Sequence, residues 1–244
     1  MTKLKIATIS YLNSIPFVYG LENSNINMDL TLGMPSVCAQ KLLNKEVDLA
    51  LVPVAVLPKL KQYHLIGDSC IGSSGKVETV CLFSEVPLDQ IDTILLDYQS
   101  RTSVELVKVL CKRYWKINPT FIDAKAGYEK EIGANVAGLI IGDRAYQYTN
   151  NYEYVFDLSE QWQLFTGLPF VFACWVSINK LDPSVEKEFS KAIDYGLSNL
   201  DKALNELKEN FDTSIDKKQY LTDVISYKLD KDKVKAMKLF LQYL

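Results

Sequence analysis

Residues 4 to 52 alternate between short apolar runs and segments with helical spacing, and this alternation is the strongest constraint on the fold. Apolar runs that predict buried strands lie at residues 4–9, 28–32 and 47–52. Helices are predicted between them at residues 17–21 and 34–43. Strands with such helical connections run parallel and are joined by right-handed crossovers. The sequence therefore predicts an α/β fold with parallel strands.

The loop after the first predicted strand carries several polar side chains. Its sequence is Ser10-Tyr11-Leu12-Asn13-Ser14-Ile15-Pro16-Phe17, and Pro16 suits the first turn of a helix. In parallel α/β sheets, ligands bind beyond the carboxyl ends of the strands. We therefore expect a ligand site at this loop, with Pro53, which follows the third predicted strand, at the same edge of the sheet.

A second candidate segment, Ser100-Arg101-Thr102-Ser103, begins a predicted helix. Ser100 is a suitable N-cap, and the apolar residues that follow mark one helical face. Free N–H groups, the positive end of the helix dipole, three hydroxyls and an arginine would together suit a carboxylate. The alternative is ordinary capping with a solvent-facing arginine, and the residues alone favour neither.

Asp143 ends another predicted strand, at residues 138–143. It either caps the short helix predicted at residues 144–148, which is the more common use of an aspartate there, or faces the ligand cleft. His64 is the only histidine, and its apolar neighbours favour a structural or surface role over a catalytic one. Residues 67–75 predict a turn-rich segment that lacks the pattern of a phosphate-binding loop.

The strand pattern breaks at residues 84–90, which predicts a crossover to a second lobe, and a strand predicted at residues 170–178 leads back. We predict a first lobe of residues 1–85 plus 176–244 and a second of residues 86–175, with a ligand cleft between them. Helices are predicted in the C-terminal part at residues 183–208, 216–224 and 230–243. Two lobes around a cleft describe a type II periplasmic-binding-protein-like fold.

Composition excludes several classes of function. The net charge is −3 and basic residues form no block, so nucleic acid is not an expected partner. The strongest apolar run, residues 168–178, is about half the roughly 20 residues of a membrane-spanning helix. Five widely spaced cysteines without a CxxC pair predict buried thiols, and no metal site is expected. The N-terminus has no features of an export signal, so we expect a cytoplasmic protein.

Several stretches together resemble the chorismate dehydratases of the futalosine route to menaquinone. They are Tyr11-Leu12-Asn13-Ser14-Ile15-Pro16, the predicted strand at residues 77–84, Ser100-Arg101-Thr102-Ser103, Ile141-Gly142-Asp143, Asp157-Leu158 with Trp162, Tyr220-Leu221-Thr222, and the most specific run, Thr166-Gly167-Leu168-Pro169-Phe170-Val171-Phe172-Ala173. The resemblance implies that chorismate is the substrate and that it loses water to give 3-[(1-carboxyvinyl)oxy]benzoate. It implies the two-lobed fold and no metal or redox cofactor.

The resemblance also implies site residues. The family associates catalysis with the asparagine of the first loop, here Asn13, and with a serine in the strand equivalent to residues 77–84, whose position is occupied here by Thr79. Ser10, Tyr11 and Ser14 are expected to shape one wall of the cleft, and Ser100 to Ser103 to bind a carboxylate. The base is either the enolpyruvyl carboxylate of the substrate or, as the reserve candidate, Asp143.

Two other functions remain open at this point. A cytoplasmic small-carboxylate binding or sensing protein would have the same architecture. The sister enzyme that makes a dihydroxynaphthoate depends on a histidine, and His64 lies outside every matching motif. The oligomeric state is not predicted.

Overall fold

The computed structural model describes residues 3–206 and 215–244. The strands in chain order are β1 Leu4–Ile9, β2 Met28–Gly33, β3 Leu49–Pro53, β4 His64–Ser73, β5 Val80–Ser84, β6 Thr93–Leu96, β7 Thr120–Asp123, β8 Val136–Ile141, β9 Tyr154–Asp157, β10 Phe170–Ser177 and β11 Ser226–Lys228. The α-helices are α1 Ile15–Glu22, α2 Pro35–Leu43, α3 Thr102–Leu110, α4 Leu158–Thr166, α5 Pro183–Ser198, α6 Leu200–Asn205, α7 Lys217–Gln219 and α8 Lys231–Tyr243. Shorter 3-10 and π turns join them at 12–14, 54–59, 88–90, 111–115, 128–131, 143–148 and 220–224.

The first sheet has the strand order β11-β4-β10-β3-β1-β2. β1 pairs in parallel with both β2 and β3, so the predicted parallel core of the N-terminal region is confirmed. β10 runs antiparallel between β3 and β4. The carboxyl ends of β1 and β3 therefore open at the same edge of the sheet, where the first loop and Pro53 meet.

The second sheet has the order β7-β6-β8-β5-β9. β6 is parallel to β7 and β8, whereas β5 is antiparallel to β8 and β9. The segments that follow β6 and β8, which contain Ser100 and Asp143, leave this sheet at its parallel edge. The two sheets form the cores of the two predicted lobes.

The chain changes sheets earlier than the predicted lobe boundaries at 85 and 175. All of β5 belongs to the second sheet, so the first change lies between Ser73 and Val80. All of β10 belongs to the first sheet, so the return lies between Asp157 and Phe170. Both strands are buried along their whole length. An apolar pattern of that kind indicates a central strand but not which sheet it joins.

Residues 67–75 were predicted to form turns, and this prediction is wrong for most of them, because β4 runs through to Ser73. Its small residues permit the close approach of a neighbouring strand. A Cβ atom on Gly72 would lie 2.7 Å from the carbonyl oxygen of Phe170 in β10. The glycines and serines of this segment are therefore explained by sheet packing.

The strand predicted at residues 77–84 begins only at Val80. Glu78 has a φ of 64°, which breaks the extended backbone before the strand. The Asp157 carboxylate accepts hydrogen bonds from the N–H groups of Val77 and Glu78, at 2.9 and 2.7 Å. These bonds stabilise the bend at the crossover between the lobes.

The C-terminal helices pack mainly against the first sheet. The helix predicted at residues 183–208 is divided into α5 and α6 at Asn199, and its last two positions lie outside the described residues. The region predicted at 216–224 forms α7 and a π turn, and α8 confirms the helix predicted at 230–243. Trp175 of β10 packs between Phe17 of α1 and Phe189 of α5.

The five cysteines are buried and unpaired, as predicted. Burial raises the pKa of the Cys38, Cys70 and Cys111 thiols to about 12. Within residues 3–206 and 215–244, no three His, Cys, Asp or Glu side chains are grouped to hold a metal ion. Over the same ranges, the helices are too short or too polar to cross a membrane.

Candidate functional site

A cleft between the two lobes is the candidate site. It holds about 510 Å³ of space, counted with the part that is open to solvent, which is in the usual range for small-molecule sites. Its walls are formed by Ile9, Tyr11, Asn13, Pro35, Pro53, Ile71, Val77, Val80, Ser100, Thr102, Ser103, Ile141, Gly142, Phe172 and Ala173. All of these lining residues are uncharged, so an anion in the cleft would depend on neutral donors and helix N–H groups.

Asn13 lies in a short 3-10 turn, residues 12–14, between β1 and α1. The Ser14 hydroxyl donates to Asn13 Oδ1 at 3.1 Å, and the Tyr227 hydroxyl donates to the Asn13 carbonyl oxygen at 3.0 Å. Ser14 is fully buried, so it supports Asn13 and does not line the cleft. The Asn13 side chain is thus held in place on the cleft wall with its amide N–H groups directed away from Ser14.

Tyr11 joins the two lobes. Its hydroxyl donates to Gln99 Oε1 in the second lobe, and its ring lies over Gly142. A Cβ atom on Gly142 would lie 3.3 Å from Tyr11 Cζ, and the φ of 78° also favours glycine there. Burial, together with the nearby Asp97 carboxylate, raises the pKa of Tyr11, which keeps the phenol protonated as a donor.

Asp143 also bridges the lobes. Its Oδ2 accepts a hydrogen bond from the backbone N–H of Leu12 at 3.1 Å. It is the first residue of the 3-10 turn at residues 143–148, and its side chain does not cap that turn, so the predicted capping role is wrong. It also lies outside the set of side chains that line the described cleft.

The start of α3 forms the opposite wall. Ser100 Oγ accepts from the Ser103 N–H at 3.0 Å, which confirms Ser100 as a capping residue. The Thr102 hydroxyl donates to the Phe172 carbonyl oxygen at 2.9 Å and accepts from the Ala55 N–H at 3.3 Å. Thr102 therefore joins α3 to the first lobe. Arg101 is exposed and lies outside the cleft lining, as in the capping alternative.

Thr79 is buried between the cleft-lining residues Val77 and Val80, with 2% of its surface exposed. Its hydroxyl lies 2.9 Å from the Tyr220 hydroxyl and 3.3 Å from the Val77 carbonyl oxygen. Tyr220 was missing from the predicted site residues. Its only signal in the sequence was that it belongs to one of the stretches that carry the resemblance.

An ion-pair network stands behind the cleft in the second lobe. Asp97 is buried and accepts from Arg144, from the Tyr128 hydroxyl and from the Ile141 N–H. Its other oxygen accepts from the Gln99 N–H at 2.8 Å. Asp97 thereby holds the segment whose side chain receives Tyr11. Sequence reasoning did not identify this aspartate as important.

The structure brings together five of the predicted site residues on the cleft walls: Tyr11, Asn13, Ser100, Thr102 and Ser103. Ser10 lies beside the cleft and donates its N–H to the Gly33 carbonyl oxygen at 3.0 Å. His64, at the first position of β4, makes a 3.3 Å contact with Gln62 and lies away from the cleft lining.

The fold matches solved structures over nearly the whole chain. A protein of Archaeoglobus fulgidus has a TM-score of 0.75 and 15% identity, with 99% of this chain and 96% of that chain covered. A Candida albicans protein described as having the generic periplasmic binding protein fold has a TM-score of 0.71 and 16% identity, with 99% and 90% covered. The chain therefore has a periplasmic-binding-protein-like fold with a small-molecule cleft between two lobes, as predicted.

The particular family follows from the sequence comparison. The model of the menaquinone biosynthesis family matches residues 4–244, and the chain belongs to this family. A chorismate dehydratase of Thermus thermophilus is 32% identical over 160 aligned positions. That alignment covers 58% of this chain and 58% of the relative, so the chain matches little more than half of that protein's length.

Proposed function

We propose that this protein is a chorismate dehydratase that acts in menaquinone biosynthesis by the futalosine route, in the cytoplasm. The observation that carries the proposal is that Asn13 and the start of α3 line one uncharged cleft from opposite lobes. Membership of the menaquinone biosynthesis family and the similarity to the Thermus thermophilus enzyme support it.

The proposed reaction removes the proton at ring carbon C3 and the hydroxyl at C4, which leaves as water. The electrons of the C–H bond form the new ring double bond, and the product ring is aromatic. This gain drives the reaction once the substrate is oriented and a base is available. The dehydration consumes no electrons and requires no co-reactant.

The two cleft walls have different proposed roles. The N–H groups at the start of α3, with the hydroxyls of Ser100 and Ser103, would bind one carboxylate of chorismate, aided by the helix dipole. The Asn13 amide would donate a hydrogen bond to the substrate as charge develops. Thr79 is proposed to contribute its hydroxyl at the same end of the cleft.

The base is proposed to be the enolpyruvyl carboxylate of chorismate itself. Asp143 is the protein alternative, but its Oδ2 accepts the Leu12 N–H and its side chain lies outside the described cleft lining. The described lining contains no other carboxylate and no histidine. A substrate carboxylate bound beside the ring would need no protein base.

The experiment is to incubate the purified protein with chorismate and follow the aromatic product by absorbance and mass. Asn13→Ala should lower kcat/KM by about a hundredfold, as expected when a transition-state donor is removed. Asn135→Ala is the matched control, because Asn135 is exposed and its amide donates to Asp92 far from the cleft. Full activity of the Asn13 variant would contradict the proposed role.

The same assay separates the two rival functions. A carboxylate-sensing protein would bind chorismate without releasing product. The sister dihydroxynaphthoate synthase would leave chorismate unchanged, and the position of His64 outside the cleft lining speaks against it.

A further inference from the structure

We propose that Tyr220 is a positioning residue that holds Asn13 and Thr79 in register with each other. The inference rests on the proposed function and adds a residue from the C-terminal segment to the site. Tyr220 begins the π turn at residues 220–224 and is 1% exposed. Its ring packs edge-on against Tyr146, with centroids 6.2 Å apart.

Three distant chain segments meet at the Tyr220 hydroxyl. Thr79 belongs to the crossover between the lobes, and its Oγ1 is 2.9 Å from the Tyr220 oxygen. Asn13 belongs to the first loop, and a hydrogen bond from its side chain lowers the pKa of Tyr220, against the stronger opposing effect of burial. A single buried hydroxyl therefore contacts both residues that the resemblance associates with catalysis.

The proton count gives these hydrogen bonds a direction. Thr79 donates its single proton to the Val77 carbonyl oxygen, so Tyr220 donates its proton to Thr79 Oγ1. Ser14 donates to Asn13 Oδ1, which leaves the Asn13 amide nitrogen to donate to the Tyr220 oxygen. The chain thus runs from Asn13 through Tyr220 and Thr79 to Val77, with every hydroxyl used as donor and acceptor.

The C-terminal segment supports Asn13 a second time, because the Tyr227 hydroxyl donates to its backbone carbonyl. The Asn13 backbone and side chain are therefore both fixed by tyrosines from outside the first loop. A donor that is displaced by about 1 Å from its transition-state position can lose a hundredfold in rate. Removing the Tyr220 hydroxyl frees the Asn13 amide to turn, and it leaves Thr79 Oγ1 without its donor.

The test is Tyr220→Phe in the full-length protein, with chorismate turnover as the assay. We expect kcat to fall by about 10- to 100-fold and KM to change less than about threefold. In the Asn13→Ala background, Tyr220→Phe should lower kcat by less than about twofold, because the donor that it positions is gone. If the two losses multiply instead, Tyr220 acts independently of Asn13 and the proposal fails.

Tyr152→Phe is the matched control. The Tyr152 hydroxyl donates to the Glu129 carbonyl oxygen at 3.2 Å in the second lobe, so its loss should leave kcat unchanged. If Tyr220→Phe does not fold, a fluorinated tyrosine at position 220 keeps the ring and the hydroxyl but weakens its oxygen as an acceptor. We then expect a lower kcat at an unchanged melting temperature, and an unchanged kcat would overturn the proposal.

The outcomes also separate this inference from the proposed function. If the parent protein does not convert chorismate, both fail together. If the parent converts chorismate and Tyr220→Phe does so with the same kcat, only the role of Tyr220 is overturned.

Discussion

The backbone N–H of Leu12 in the first lobe donates to the Asp143 carboxylate in the second lobe at 3.1 Å. The two residues are 131 positions apart in the chain, and the bond closes the cleft beside Asn13. This geometry makes Asp143 a contact between the lobes, whereas the sequence had suggested a cap or a base. Two substitutions distinguish a contact from a base.

Asp143→Asn keeps a carbonyl oxygen that can accept the Leu12 N–H, but it cannot take a proton from the substrate. We expect it to retain kcat within about fivefold, because the lobe contact survives. Asp143→Ala should raise KM more than it lowers kcat. Steady-state kinetics with chorismate provide the measurement, and a loss of about a thousandfold in Asp143→Asn would identify Asp143 as the base instead.

A second prediction concerns the hydroxyl of Thr102. Thr102→Val would leave the Phe172 carbonyl oxygen and the Ala55 N–H without this partner at a buried contact between the lobes. We expect the free energy of unfolding to fall by about 1–3 kcal/mol. Thr102→Ser keeps the hydroxyl and should cost less than about 1 kcal/mol. Urea denaturation measures both, and equal stability of the valine variant and the parent would contradict the assignment.

A third prediction tests the carboxylate cradle. Ser103 lines the cleft at the start of α3 but is not the capping side chain, so Ser103→Ala should leave the helix start intact. Loss of a contact made equally in the ground and transition states raises KM with kcat unchanged, and we expect about a 5- to 20-fold rise. Ser184→Ala, at the start of α5, is the control. A Ser103 variant with parental KM would remove its hydroxyl from the cradle.

Local signals in the sequence were sufficient for part of this structure. The parallel strands β1 to β3 and the start of α3 were predictable, because apolar periodicity and the Ser100 cap act within a few residues of the chain. β4 was missed because its glycines and serines are also typical of turns, and only the neighbouring Phe170 backbone explains Gly72.

The contacts that define the site were not predictable in the same way. Thr79 and Tyr220 are 141 positions apart, and Tyr11 and Gln99 are 88 apart. Nothing in either local sequence indicates its partner, because the fold alone brings them together. The resemblance found Asn13 and pointed to Thr79, but it could not show that the Thr79 hydroxyl faces a buried tyrosine.

The last prediction concerns Asp157, whose carboxylate binds both crossovers between the lobes. It accepts from Val77 and Glu78 on the first crossover and caps α4 through Ser159 and Glu160 on the second, over distances of 2.7–3.1 Å. Asp157→Ala leaves four N–H groups without this acceptor and should cost about 3 kcal/mol or more of stability, whereas Asp157→Asn keeps one acceptor oxygen and should cost less. Asp182→Ala, which removes an exposed cap of α5, should have the smallest effect of the three. Urea denaturation ranks the variants, and an Asp157→Ala protein as stable as the Asp182 variant would show that this carboxylate does not hold the crossovers together.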